Sequence, residues 1–218
     1  MPLHTTDALI LRTYKLGESD RIVVFLTRDR GKKRGVAKNA RQSRRRFGGA
    51  LEPLTYGRVG YVERERRELV RLDYVEQLRS PLSAVDGEAL GYVSYFAELI
   101  DEWAQEADPN ETLFRLGASM TDAIAAGVPI EPLARYFEYW LLRLQGVYEV
   151  DRGLSDEAQA FLGAARILSP FALGGVAVSR GALRELEAAH RALIAMHLEK
   201  DLKSVRVLSA MLGGHRGR

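Results

Sequence analysis

Ala8-Leu9-Ile10-Leu11 and Ile22-Val23-Val24-Phe25-Leu26 flank the turn-forming stretch Lys15-Leu16-Gly17-Glu18-Ser19-Asp20, a strand–turn–strand pattern that decides how the first third of the chain is read. Gly35-Val36-Ala37 continues it as a third strand. A basic loop containing Gly48-Gly49 follows, and then a fourth strand over residues 54–62, rich in Tyr and Val. In residues 69–76, Val70, Leu72 and Tyr74 alternate with Arg71 and Asp73, the period of a half-buried fifth strand. The charged residues 63–68 form the connecting tip. Five short strands with one long loop between the third and fourth fit a small closed barrel such as the OB-fold, and an SH3-like barrel fits nearly as well.

Beyond Ser80-Pro81 the period changes from two to 3.6. Tyr92, Tyr95, Phe96, Leu99 and Trp103 form one stripe of an amphipathic helix. Asp108-Pro109-Asn110-Glu111 reads as the start of a second helix, with Asp108 as N-cap, and Leu113, Leu116, Met120 and Ile124 point inward. Pro132 opens a third helix with Tyr136, Phe137, Trp140, Leu141 and Leu144 on its buried face. Ser155 caps a short helix, Ser179 a longer one reaching Leu198, and a terminal helix spans roughly residues 202–212. The expected organisation is α+β, β first and α second: a five-stranded barrel domain at residues 1–80 and an α-helical bundle at residues 81–218.

The 218 residues contain no cysteine, which removes disulfides, thiolate nucleophiles and Cys-ligated metal together. The longest stretch without charge, residues 167–179, is too short and too broken by Pro170, Gly174 and Gly175 to span a bilayer. No secretion signal precedes the first strand, so the expected location is the cytoplasm. Net charge is only +3, yet it is unevenly divided. Residues 1–80 hold 19 Lys+Arg against 10 Asp+Glu and the remainder 13 against 19, so the two parts carry +9 and −6. Ten of the basic residues fall within residues 28–46, beside a single acid, Asp29. A run of this density is a solvated surface or the footprint of a polyanion, and its self-repulsion favours the second reading.

Catalytic patterns are thin. Glu187-Ala188-Ala189-His190 has the helical spacing of a bundle metal ligand pair, but no second copy exists, and core or surface histidines are the simpler reading. Gly31-Lys32-Lys33-Arg34-Gly35 lacks the glycine spacing and hydroxyl of a phosphate loop. Neither a nucleophile elbow nor a dinucleotide fingerprint is present. The chain reads as a binding protein rather than an enzyme, without catalytic residues, metal or cofactor.

Asp7-Ala8-Leu9-Ile10-Leu11-Arg12, Gly17-Glu18-Ser19-Asp20-Arg21-Ile22-Val23, Gly35-Val36-Ala37-Lys38-Asn39-Ala40-Arg41 and Arg46-Phe47-Gly48-Gly49-Ala50-Leu51-Glu52-Pro53 occur in an order and spacing that resemble the RecO family of bacterial DNA repair proteins. Leu141-Leu142-Arg143-Leu144-Gln145-Gly146-Val147 and Leu202-Lys203-Ser204 extend the likeness more weakly into the helical part. The resemblance implies an N-terminal OB-fold and a helical C-terminal domain. It further implies a recombination mediator without catalysis, one that binds single- and double-stranded DNA, anneals complementary strands, contacts SSB and RecR, and indirectly helps RecA to load at the nucleoid. DNA-binding roles carry over to Lys38, Arg41, Arg44, Arg45 and Arg46, with Lys32, Lys33 and Arg34 secondary. Phe47 is read as a barrel-packing or base-stacking ring. Many RecO-like chains carry a four-cysteine zinc insertion after the Leu-Arg-Leu-x-Gly-Val segment; here Val147-Tyr148-Glu149-Val150-Asp151-Arg152-Gly153 passes on without one, so a zinc-free form is expected. The acidic SSB tail would require cations in the helical part, with Arg135, Arg143, Arg184, Arg191 and Lys203 as candidates. An RNA-binding OB protein of translation or RNA processing is the alternative.

Overall fold

The computed structural model describes residues 2–63, 67–83, 87–149, 153–198, 202–205 and 207–208. Five strands, β1 (Leu3–Leu16), β2 (Asp20–Thr27), β3 (Gly31–Ala37), β4 (Tyr56–Val62) and β5 (Val70–Arg79), close into a barrel in the order β1-β2-β3-β5-β4. All pairings are antiparallel except β3 with β5. This is the OB-fold arrangement of the two expected. β3 starts four residues earlier than the sequence reading and β4 two later, because Lys32, Lys33 and Arg34 pair with Leu26, Phe25 and Val24 despite their charge.

Alternation sends Ala8, Ile10, Val23, Phe25, Ala37, Val59, Tyr61, Val70 and Leu72 into the barrel, where Phe47 and Ala50 from the β3–β4 loop join them. The other side of β1 and β2 is equally apolar. Leu9, Leu11, Val24 and Leu26 face outward and are buried by the helices in one continuous core with Phe96, Ile100, Leu113 and Met120. The barrel therefore supplies part of the helical core.

After a single helical turn, Pro81–Ser83, come α1 (Gly87–Trp103), α2 (Glu111–Ala125), α3 (Ile130–Leu144), α4 (Asp156–Ile167) and α5 (Arg180–Leu198). Ser155 caps α4 through the Ala158 amide, and the Ser179 hydroxyl accepts from the Ala182 amide at the start of α5, both as expected. The cap of α2 differs: Asn110, not Asp108, accepts from the Leu113 amide. Lys32 donates its amide to Gln105 O at 3.1 Å, and Ala107 donates to Lys32 O at 3.2 Å, so the segment between α1 and α2 is tied to β3 and turns at Ala107, which has φ +56°. Gly31 lies against this segment with φ at +69°, and a Cβ there would come within 2.6 Å of the Asp108 backbone. Leu144, expected inside, is exposed at the end of α3. Of the terminal helix, residues 203–205 and 207–208 are helical, and its remainder lies outside the described residues, as do residues 150–152 of the segment where relatives carry the zinc insertion.

Two buried carboxylates organise the helices. Glu98 on α1 receives Arg12 Nη2 at 2.9 Å, the Ser204 amide at 2.7 Å, the Lys203 amide at 3.2 Å and the Ser204 hydroxyl, so it ties the barrel to the terminal segment. Glu138 on α3 receives the Tyr95 hydroxyl at 2.9 Å and His190 Nδ1 at 3.0 Å, with Arg135 Nη1 3.2 Å away. Burial works to raise the Glu138 pKa, but Arg135 and the His190 and Tyr95 hydrogen bonds outweigh it and hold it below the ordinary range. A depressed carboxylate contributes stability above its unfolded pKa, about 4.3, and loses it as the pH falls through the folded value. Glu138→Ala should cost about 3–5 kcal/mol in urea melts at pH 7, because it leaves buried Arg135 with only the more distant Glu187, 4.0 Å away, as counter-charge. The gap from wild type should narrow as the pH drops below about 4.

Candidate nucleic-acid interface

The basic run of residues 28–46 is divided by the fold into three parts. Arg28 and Arg30 sit at the β2–β3 turn, where Arg28 meets Glu111 at 3.0 Å and Arg30 meets Asp29 at 3.7 Å. Lys32, Lys33 and Arg34 lie within β3. Lys38, Arg41, Arg44, Arg45 and Arg46 belong to the β3–β4 loop.

Within β3 the three cations differ. The Lys32 ammonium donates to Asp101 O at 2.6 Å and to Asp101 Oδ1 at 3.2 Å, so it is a seam contact between barrel and α1. The Lys33 ammonium donates to Glu63 Oε1 at 2.8 Å, an interaction that lowers the Glu63 pKa. Arg34 is exposed and has no ion pair among the described residues.

The loop is ordered by its own backbone. Asn39, at φ +53°, donates its amide to Asp20 Oδ1 and accepts from the Gln42 and Ser43 amides. Arg41 donates from its amide to Ser19 O and from Nη1 to Glu18 O, which fastens the loop to the β1–β2 turn. Arg46 donates to Lys38 O at 2.6 Å and to Ser43 Oγ at 3.0 Å, with its guanidinium 5.0 Å from the centre of the Phe47 ring. Phe47 is buried in the barrel, which resolves the two readings of that ring in favour of packing. Arg34, Lys38, Arg41, Arg44, Arg45 and Arg46 have no carboxylate within ion-pair distance among the described residues. Clustered charge of one sign, mostly exposed, gives this face a positive potential that complements an anion.

A cleft of about 510 Å³ opens beside this surface between β3 and β5, where Lys38, Arg67 and Arg71, together with the acid Glu68, surround Val36. Sequence reading missed Arg67 and Arg71. The alternation in β5 places Arg71 on the outer face, but only the parallel pairing Val36↔Arg71 brings it beside Lys38.

In the helical part, a second cleft of about 440 Å³ is lined by Tyr139, Arg143, Tyr148, Leu162 and Arg166. Arg143 donates to the Tyr139 hydroxyl at 3.0 Å and lies 5.9 Å from the centre of the Trp140 ring. Of the other cations considered there, Arg135 is only 2% exposed and Arg191 is paired with Glu187 at 2.6 Å; neither lines the cleft. The Glu187-x-x-His190 pair is split, His190 turning into the core toward Glu138. Among the described residues no group of three or more His, Asp or Glu is placed to hold a metal ion, and no helix is long and apolar enough to cross a membrane.

A barrel of this order, fused through a shared core to a helical bundle and carrying a basic loop without ion pairs among the described residues, defines an OB-fold protein with a strongly basic face. Family models described as Recombination protein O N terminal and Recombination protein O C terminal match residues 1–81 and 84–150. The chain is 46% identical over 145 residues to the DNA repair protein RecO of Koribacter versatilis, covering 66% of this chain and 59% of that one. It is 31% identical over 237 aligned positions to the DNA repair protein RecO of Geobacter metallireducens, covering 93% and 96%, and 30% identical over 244 to that of Pelotomaculum thermopropionicum, covering 95% and 94%. The chain belongs to the RecO family.

The two kinds of cation separate by experiment. Lys32→Met should lower stability by about 1–2 kcal/mol in urea melts and leave the salt dependence of oligonucleotide binding unchanged. Joint replacement of Arg44 and Arg45 by Ala should leave stability within about 0.5 kcal/mol and flatten the single-strand log–log salt slope by about 1.4.

Proposed function

We propose that this chain is a non-catalytic recombination mediator in DNA repair. It binds single- and double-stranded DNA, promotes annealing of complementary strands and, with RecR, helps RecA load onto SSB-covered DNA. The carrying observation is the set of six cations, Arg34, Lys38, Arg41, Arg44, Arg45 and Arg46, that have no ion pair among the described residues of a RecO-family barrel. Annealing needs two polyanions side by side. A surface that contacts phosphates lowers their repulsion and releases counterions, and no covalent step is required. The protein acts in the cytoplasm, at the nucleoid.

The cleft of Tyr139, Arg143, Tyr148, Leu162 and Arg166 supports a separate role for the helical part. Two guanidinium groups beside aromatic and aliphatic walls suit an acidic peptide with an apolar end, which is the chemistry of the SSB tail. That cleft lies apart from the loop, so protein and DNA contacts need not compete.

Anisotropy of a labelled single-stranded oligonucleotide across a salt series tests the DNA reading. Wild type should bind, and replacement of Arg44, Arg45 and Arg46 by Ala should flatten the slope by up to about 2 units, at roughly 0.7 per phosphate contact, and slow annealing of complementary strands. Identical slopes and annealing rates would reject the loop as the site, and preference for folded RNA without annealing would favour an RNA-binding role. For the second cleft, Arg143→Glu with Arg166→Glu should abolish binding of a peptide bearing the acidic SSB tail and leave the oligonucleotide slope unchanged. Retained peptide binding would remove the cleft from consideration.

A further inference from the structure

Tyr139 reaches the helical cleft from α3, and Leu162 and Arg166 reach it from α4, so helix geometry places them. Tyr148 lies beyond the end of α3, in the segment that leads to α4, and its ring is placed by contacts instead. It meets the Tyr139 ring edge-on with centres 4.9 Å apart, and the His190 ring edge-on with centres 5.7 Å apart. Tyr139 in turn accepts a hydrogen bond from Arg143 at 3.0 Å. His190, Tyr148, Tyr139 and Arg143 thus form one line of contacts from the core to the wall of the cleft.

His190 is wholly buried on α5. Its Nδ1 is 3.0 Å from Glu138 Oε2 on α3, and that carboxylate also accepts from the Tyr95 hydroxyl on α1 at 2.9 Å, so three helices fix the imidazole. Glu138 is held ionised, which places the proton on Nδ1 and leaves Nε2 as an acceptor. Nε2 is buried without a hydrogen-bond partner among the described residues. A phenyl ring would fill the same space with no unpaired acceptor, so packing alone does not account for an imidazole here. What the imidazole adds is the Nδ1 bond, which fixes the rotation of the ring and therefore the part of it that Tyr148 meets. Edge-on ring pairs depend on that angle.

We infer that His190 is a positioning residue for this cleft: held by Glu138, its ring sets the place of Tyr148 and with it the wall against which a bound peptide lies; this rests on the reading of the cleft as an acidic-peptide site. Being buried, His190 touches no ligand. Its effect on binding passes through Tyr148, whereas in that reading Arg143 and Arg166 meet the ligand with their own charge.

The test is a double-mutant cycle on the full chain, read by anisotropy of a labelled peptide bearing the acidic SSB tail. His190→Asn keeps a side-chain donor in place of Nδ1 and removes the ring. It should weaken peptide binding roughly 2- to 10-fold, the worth of one aromatic pair. Tyr148→Ala should weaken it at least as much, and adding His190→Asn to that variant should change the affinity by less than about twofold more. Tyr148→Phe should bind nearly as wild type does. Oligonucleotide affinity, which reports a folded chain, should be the same in all of them. Wild-type affinity in His190→Asn, or losses that multiply in the double variant, would overturn the positioning role. In the unaltered protein, the imidazole NMR signals of His190 should shift on addition of the peptide and not of an oligonucleotide; signals that stay fixed would overturn it even if the variants failed to fold. Peptide binding that is absent in wild type, or that survives Arg143→Glu with Arg166→Glu, would instead overturn the cleft reading on which it depends.

Discussion

Leu9, Leu11, Val24 and Leu26 point outward from a closed barrel, and four large aliphatic side chains on the convex face of a sheet cannot be left in water. Their burial requires α1 and α2 to lie across β1 and β2, and much of the remaining architecture is consistent with that requirement. Polar contacts fix the crossing at its margins. Arg12 meets Glu98, Lys32 meets Asp101, and Arg79 meets Asp122 at 2.5 Å while lying 4.1 Å from the centre of the Tyr56 ring. The acids are on the helical side and the bases on the barrel side at every one of these points, so part of the uneven charge of the sequence is spent within the molecule.

The remaining cations keep their charge open to solvent. Charge density in the sequence treats Lys32 and Arg44 alike, yet one is held by a carboxylate and a carbonyl of α1 and the other is unneutralised on a loop. Coulomb attraction to a neighbouring carboxylate at about 3 Å satisfies a lysine that would otherwise contribute to phosphate binding. The helices also cover only half of the outer sheet, and the open half carries Tyr14, Ile22 and Val36. One packing event thus buries one end of that face and defines the other as a surface.

Much of the fold was legible because it rests on local periodicity. The alternation Val70, Leu72 against Arg71, Asp73 marks β5, and the stripe from Tyr92 to Trp103 marks α1, since each pattern follows from the geometry of a single element. The caps at Ser155 and Ser179 are local too. Asn110 escaped because the path of the chain before α2 is set by Lys32, far away in sequence, which ties Gln105 and Ala107 to β3. Charges within Lys32-Lys33-Arg34 hid the first half of β3, since strand pairing there depends on partners in β2.

By itself the sequence determined the two classes of structure, the absence of thiol chemistry, the basic loop and, through ordered motifs, the family likeness. Tertiary structure alone decided which cations are neutralised, that Phe47 fills the barrel, that Arg71 stands beside Lys38, and that Tyr14 faces outward. The division has a physical cause. Secondary structure and composition are properties of neighbours along the chain, whereas charge neutralisation, burial and the face on which a residue falls after a bulge depend on groups brought together only by strand pairing and packing.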